Sequence, residues 1–176
     1  MKTHLSLHWS AGTYTPSWLD RDHYHAVIGT DQNGEVYFEK NHNYTERLQG
    51  TYGRNSQVID VAICAMAGAV STNFGKFPIT EEQIDELCLV AAEICILKGF
   101  PLHRVLTHAE WALIDGYGVF SGDPQTRWDL GLLKPGYLSF QTVKESGRTL
   151  RIKIKKYMDE IKTGKRLIRQ EHSKSF

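Results

Sequence analysis

Two histidines and an aspartate are the side chains most suited to holding a metal ion. His8 ends an alternating segment, His108 follows a short apolar run, and Asp129 lies between two apolar residues. Catalytic zinc takes three protein ligands and keeps a fourth position for water, which it makes acidic enough to act as a nucleophile. No HExxH motif is present, so only the fold could bring these residues together. Each histidine alone could equally be an ordinary polar residue.

The segments that precede these histidines are predicted strands. Residues 3–9 alternate between apolar and polar side chains, which predicts a strand with one buried face and His8 at its end. Residues 103–107 predict a short strand directly before His108. Residues 58–66 are apolar except for Asp60, as in a central strand covered on both faces. Side chains just past strand ends converge on one crevice in an open sheet.

Other segments complete an α/β pattern. Residues 24–29 predict a strand that places Tyr24 and His25 on opposite faces, with His25 buried and hydrogen-bonded. Residues 31–34 form a turn into a hairpin strand, and residues 41–56 form a long loop of the kind that often binds ligands. Thr80 and Gln83 form a capping box for a helix that Gly99 ends.

The C-terminal part of the chain is basic. Residues 148–169 hold nine Lys or Arg against two acids, although the whole chain has a net charge of +1. An apolar stripe predicts a helix from Val143 to about Thr163, while the alternation over residues 150–154 would also fit a strand. We expect residues 1–142 to form a catalytic domain and residues 143–176 to pack on it. The basic helix is either a solvated face or a site for anionic membrane or lipopolysaccharide.

Composition indicates an ordinary cytosol-made protein of one domain. The chain has 176 residues, 41% of them hydrophobic, and three cysteines without a CxxC motif. Cys88 and Cys95 lie on an apolar helical face and are predicted core thiols. No segment resembles a signal peptide, so we expect cytoplasmic synthesis. His4, His23, His42, His103 and His172 are predicted to lie at the surface.

Five short segments together resemble the zinc-dependent N-acetylmuramoyl-L-alanine amidase family, which includes phage endolysins and peptidoglycan recognition proteins. They occur in family order: residues 5–12 (LSLHWSAG), 24–28 (YHAVI), 53–56 (GRNS), 107–110 (THAE) and 127–129 (RWD). The resemblance implies a mixed central β-sheet flanked by α-helices. It implies Zn²⁺ held by His8, His108 and Asp129. It also implies hydrolysis of the amide between N-acetylmuramic acid and L-alanine in peptidoglycan.

The resemblance also implies roles for other residues. Tyr24 would position the water or assist proton transfer, and Arg127 would stabilise the oxyanion. Glu110 would act as a base or merely cap and buttress its segment. The loop would bind substrate through Thr51, Arg54 and Asn55, unless these are turn residues.

The chain departs from the family in ways that leave alternatives. A long insertion separates His108 from Asp129, so Asp115 and Asp123 are fallback ligands, and the central strand lacks the glutamate of recycling amidases. We expect a monomeric lytic enzyme that acts on the cell wall after release, with peptidoglycan or a muropeptide, not nucleic acid, as its partner. A cytosolic muropeptide-recycling amidase and a non-catalytic peptidoglycan-binding module are the alternatives.

Overall fold

The chain folds into a mixed β-sheet with helices packed against it. The computed structural model describes residues 1–122 and 127–172. The elements in chain order are β1 (His4–Trp9), α1 (Trp18–His23), β2 (Ala26–Thr30), β3 (Val36–Lys40), β4 (Val58–Ile63), α2 (Glu81–Lys98), β5 (Val105–Thr107), α3 (His108–Asp115) and α4 (Phe140–Lys162). Single 3-10 turns cover Leu102–Arg104 and Gln170–His172. The predicted α/β class with a mixed central sheet is confirmed.

The sheet has the strand order β3-β2-β4-β1-β5. All neighbouring strands are parallel except the β2–β3 hairpin, which is antiparallel. In the pairing of β1 with β4, Ser6 lies opposite Asp60 and His8 lies opposite Ala62. Because parallel strands run in one direction, the carboxyl ends of β1, β4 and β5 meet at the same edge of the sheet.

The two faces of the sheet are both buried but differ in chemistry. On one face, Leu5, Leu7 and Trp9 belong to the apolar core that includes α2 and α4. On the other face, Ser6 and His8 are fully buried under the loop of residues 41–57. The prediction of one buried face for β1 was therefore wrong. A polar, alternating strand can be buried on both faces when a loop supplies hydrogen-bond partners.

The second helix is confirmed in its boundaries and its caps. Thr80 and Gln83 form the predicted capping box, and Gly99 ends the helix in the left-handed conformation, with φ of 67°. Cys88 and Cys95 are buried free thiols, as is Cys64. Burial raises the pKa of each thiol to about 12, so all three remain protonated packing residues at neutral pH.

The last helix begins at Phe140 and not at Val143, because Ser139 provides the N-cap. The strand alternative for residues 150–154 was wrong, since Leu150, Ile154 and Met158 lie on one helical face that is buried in the core. Several basic side chains of this region form ion pairs; these pairs are Arg151–Glu110, Lys153–Asp85, Lys155–Asp159, Arg166–Glu160 and Arg169–Glu93. The apolar stripe of α4 thus packs in the core, and contact of the basic helix with anionic membrane or lipopolysaccharide stays a prediction.

Among the described residues, no helix combines the length and the apolar character needed to cross a membrane.

The C-terminal residues are tied to the body by a buried polar cluster. His172, predicted to lie at the surface, is fully buried. Its Nδ1 lies 2.7 Å from the Tyr44 hydroxyl and its Nε2 lies 2.9 Å from Glu93 of α2. Arg169 also contacts Glu93 through its guanidinium. The surface prediction for His172 was wrong because its partners come from distant parts of the chain.

His25 is confirmed as a buried, hydrogen-bonded histidine. Its Nδ1 accepts the backbone N–H of Asp60 at 3.0 Å, and its Nε2 lies 3.1 Å from the Glu46 carbonyl. Burial lowers the pKa of His25 to about 4, with the Asp60 charge opposing the shift. The ring is therefore neutral in the folded protein, with its proton on Nε2.

This burial predicts a pH-dependent loss of stability. Between pH 6.5 and about 4 the unfolded chain binds a proton at His25 that the folded chain does not, so the free energy of unfolding falls as pH drops. The full effect is about 3 kcal/mol, from about 1.4 kcal/mol per pKa unit. Urea unfolding from pH 7 to pH 4 should show a smaller loss in His25→Gln than in the parent. Equal losses in the two proteins would contradict this assignment.

Candidate metal centre

Three predicted ligands converge at the carboxyl edge of the sheet. His8, His108 and Asp129 each offer one ligand atom, and these atoms all lie within 4.8 Å of one another. Asp129 Oδ2 lies 3.3 Å from Nδ1 of His8 and 3.1 Å from Nδ1 of His108. The two imidazole rings are 4.8 Å apart between centroids. The fold therefore brings together side chains that are up to 121 positions apart in sequence.

His108 occupies its position because a helix begins directly after β5. Thr107 is the N-cap of α3, and its hydroxyl accepts the backbone N–H of Glu110 at 3.1 Å. The Glu110 carboxylate returns the contact by accepting the N–H of Thr107 at 3.0 Å. His108 is therefore the first residue of a capped helix, and a capping box of this kind fixes where the helix starts.

Asp129 is held by a turn that two helices secure. Its carbonyl accepts the N–H of Ala109 at 3.2 Å, next to His108. The following residue, Leu130, has φ of 56°, and its carbonyl accepts the Ser146 hydroxyl of α4 at 2.5 Å. A left-handed conformation costs a non-glycine residue roughly 1 kcal/mol, and such costs often occur at functional sites. The turn places the carboxylate between the two histidines.

Buried His8 and Asp129 shift each other's pKa. Burial would lower the pKa of His8, but hydrogen bonds to Asp129 and Asp60 outweigh it and raise the pKa to about 9. Burial would raise the pKa of Asp129, but His108 and His8 hold it well below its usual range. The two carboxylates thus favour a positive charge on His8, and a metal ion bound at this ring would take the place of the proton.

The residues present fit a zinc ion. Two imidazole nitrogens and one carboxylate oxygen are a known catalytic zinc donor set, which leaves a fourth position for water. Nε2 of His108 is buried and has no hydrogen-bond partner among the described residues. Its Nδ1 lies 3.1 Å from Asp129 Oδ2, on the side of the ligand cluster.

Of the predicted catalytic residues, Tyr24 lies beside the ligand cluster and Arg127 packs on two tyrosines. The ring of Tyr24 lies 5.2 Å from that of His8, beside the cluster. Burial, followed by Asp129, raises the pKa of Tyr24 well above 10, so its hydroxyl keeps its proton. The Arg127 guanidinium lies over the rings of Tyr52 and Tyr117, at 4.7 and 5.1 Å from their centroids.

Glu110 is engaged elsewhere. Besides capping Thr107, its carboxylate receives two bonds from the Arg151 guanidinium, at 2.8 and 2.9 Å. A Cβ at Gly147 would fall onto this carboxylate, so α4 passes close enough only because it has a glycine there. The geometry favours the capping role of Glu110 over the catalytic one.

The predicted substrate-binding residues all make contacts with other residues of the protein. Thr51 is fully buried, so it cannot reach a substrate in this conformation. The Asn55 side chain accepts the N–H of Thr51 at 3.1 Å and closes the loop. Arg54 pairs with Asp115 through two bonds, at 2.6 and 2.9 Å, and lies over the ring of Trp111. These contacts favour the turn and packing alternatives for all three residues.

The fallback ligands are not part of the described cluster. The Asp115 carboxylate is occupied by Arg54, and Asp115 is not grouped with the two histidines. Asp123 lies outside the described residues.

Sequence reasoning missed three residues around the centre. Asp60 is fully buried, and its Oδ1 lies 3.0 Å from Nε2 of His8. Its interruption of an apolar strand was a usable signal, because a buried carboxylate needs a partner. Tyr52 and Tyr117 pack edge to face at 5.5 Å, and the Tyr117 ring lies 6.2 Å from that of His108. No local pattern distinguishes these tyrosines from packing residues.

Comparison with known proteins shows the fold. No family model matches the chain, and no curated protein matches it. Among solved structures, the chain is similar to a mutant of the protein PlyL, with 13% sequence identity and a TM-score of 0.53. The match covers 88% of this chain and 85% of that one. At this identity the likeness shows a shared fold alone.

Proposed function

We propose that the protein is a zinc-dependent N-acetylmuramoyl-L-alanine amidase that cleaves peptidoglycan. The observation that carries the proposal is the convergence of His8, His108 and Asp129 at the carboxyl edge of the sheet. The fold shared with PlyL supports it, as does the family resemblance of the segments that hold these residues. Zinc bound by the three side chains would acidify a water molecule and polarise the carbonyl of the scissile amide.

In this proposal Tyr24 and Arg127 assist the reaction. Tyr24 keeps its hydroxyl proton and lies beside His8, so it can donate a hydrogen bond to water or to substrate. Arg127 is a fixed cation, since two aromatic rings hold its guanidinium. A preorganised cation near developing negative charge stabilises an oxyanion. In this proposal Arg127 acts through its charge and does not transfer a proton.

Zinc content and product chemistry test the proposal together. We expect one zinc per chain and release of dye from labelled, purified cell walls. Amide cleavage exposes the amino group of L-alanine and leaves the number of reducing sugar ends unchanged. A protein that binds no zinc, or that releases reducing ends instead of amines, would contradict the assignment. A protein that binds walls with zinc present but releases no amine would be a binding module.

A second comparison separates the two enzyme forms. The lytic form should act on intact sacculi, whereas a recycling form should prefer soluble anhydro-muropeptides. We expect the higher rate on sacculi, because the described β4 strand carries no glutamate of the recycling kind. The reverse preference would assign the protein to recycling.

A further inference from the structure

We infer that Asp60 is a positioning residue that fixes the orientation of His8 as a metal ligand. The inference rests on the proposed zinc site and extends it to a side chain outside the ligand set. Asp60 lies on β4 and is fully buried. Its Oδ1 lies 3.0 Å from Nε2 of His8, while Nδ1 of the same ring faces Asp129.

The contact selects one tautomer of His8. A neutral imidazole that binds a metal through Nδ1 must keep its proton on Nε2, and the hydrogen bond of the other nitrogen decides this. Oδ1 of Asp60 accepts from that position. Carboxylates that hold a ligating histidine in this way also make the ring a better donor to the metal.

The Asp60 carboxylate is itself fixed. The Thr51 hydroxyl donates to Oδ1 at 2.6 Å and lies 2.9 Å from the hydroxyl of Ser6. The backbone of Asp60 is held as well. Its N–H donates to Nδ1 of the His25 ring, and its carbonyl accepts the backbone N–H of His25. The carboxylate therefore cannot follow His8 if the ring turns, so the ring is held in one position.

The second oxygen of the Asp60 carboxylate, Oδ2, is buried and has no hydrogen-bond partner among the described residues. Within the described part of the chain, the ion-pair contacts of Asp60 are to His8 and His25, and His25 presents an unprotonated Nδ1 toward it. A buried carboxylate without compensating charge is strongly unfavourable. His8 lies between Asp60 and Asp129, so a cation bound by His8 would lie near both carboxylates.

Gly50 shows that the loop is built closely over Asp60. A Cβ at Gly50 would lie 2.5 Å from Cγ of Asp60, so a glycine lets the loop backbone lie directly on the carboxylate. Gly50→Ala therefore displaces Asp60 without changing the chemistry of any donor. It gives a perturbation independent of replacing Asp60 itself.

Zinc affinity of the full-length protein tests the inference. Asp60→Ala, Asp60→Asn, Thr51→Val and Gly50→Ala are compared with the parent by competition against a chromophoric chelator. Loss of such a partner typically weakens metal binding about 10–100-fold, which we expect for Asp60→Ala. Asp60→Asn should lose less, because its amide oxygen can still accept from Nε2. The absorption spectrum of the cobalt-substituted protein should change in both.

Glu93→Gln is the matched control. Glu93 is also a buried carboxylate, but it binds Arg169 and His172 away from the proposed ligands. Its replacement should leave zinc affinity and the cobalt spectrum unchanged, even if it lowers the melting temperature. If Asp60→Ala does not fold, Asp60→Asn and Thr51→Val still provide the comparison.

The outcomes separate this inference from the proposed function. Asp60 variants that bind zinc as tightly as the parent, with unchanged cobalt spectra, would overturn the positioning role and leave the zinc site standing. A folded parent that binds no zinc would overturn both. Weaker zinc binding in the Asp60 variants, with Glu93→Gln unaffected, is the expected result.

Discussion

Asp129→Ala is expected to abolish peptidoglycan cleavage and to weaken zinc binding by more than about 100-fold, the upper value for loss of a partner that only orients a ligand. In the proposed site Asp129 is the oxygen donor beside the two histidines, and its Oδ2 lies within 3.3 Å of Nδ1 of each. Without it, two imidazoles remain, and two ligands hold zinc far more weakly than three. Zinc titration and the dye-release assay measure the two effects on the same protein.

Asp115→Ala is the matched control for this prediction. Asp115 is the other described aspartate that the sequence offered as a ligand, but its carboxylate binds Arg54. Its loss should leave zinc affinity unchanged and should cost at most about 1 kcal/mol of stability, because the pair is partly exposed. An Asp129→Ala protein with full activity would contradict the assignment of the third ligand.

The ligands of the proposed site could be found in sequence because strand ends are visible there. His8 is the last residue but one of β1 and His108 directly follows β5, and these parallel strands carry both histidines to one edge of the sheet. Asp129 was harder to place, since a turn secured by Ala109 and Ser146 holds it, and neither contact follows from local pattern. Asp129 was predicted as the third ligand from the family resemblance.

The residues around the ligands could not be assigned in the same way. Thr51 lies in a polar loop whose periodicity says nothing of burial, yet the loop folds back and its hydroxyl reaches Asp60. His172 is similar, because its partners Tyr44 and Glu93 are 128 and 79 positions away. Local propensity predicts helices and strands, whereas such contacts depend on how the elements pack.

The sequence of residues 107–110 indicates two different roles for its side chains. Its histidine was identified as a ligand, but its threonine and glutamate also form a capping box that sequence alone displays. The box indicates that Glu110 serves the start of α3. A structural Glu110 and a catalytic Glu110 predict different effects of replacing this residue.

Glu110→Gln is expected to lower the free energy of unfolding while leaving the chemical step nearly intact. The carboxylate binds Thr107 N–H and, through two bonds, Arg151. Breaking a buried pair costs about 3–5 kcal/mol, and the partial exposure of Arg151 reduces this to about 1–3 kcal/mol. Urea unfolding measures the loss, and kcat is measured at a temperature where the variant is fully folded.

Arg151→Gln decides between the two roles of Glu110. It removes the same ion pair from the α4 side and leaves the Glu110 carboxylate in place. If Glu110 is structural, both variants lose similar stability, the double variant loses little more, and kcat stays near that of the parent in all three. A general base contributes about 10²–10⁴-fold to rate, so a catalytic Glu110 would lower kcat by that factor in Glu110→Gln but not in Arg151→Gln. The geometry favours the first result, because both oxygens of the Glu110 carboxylate already accept hydrogen bonds from Arg151.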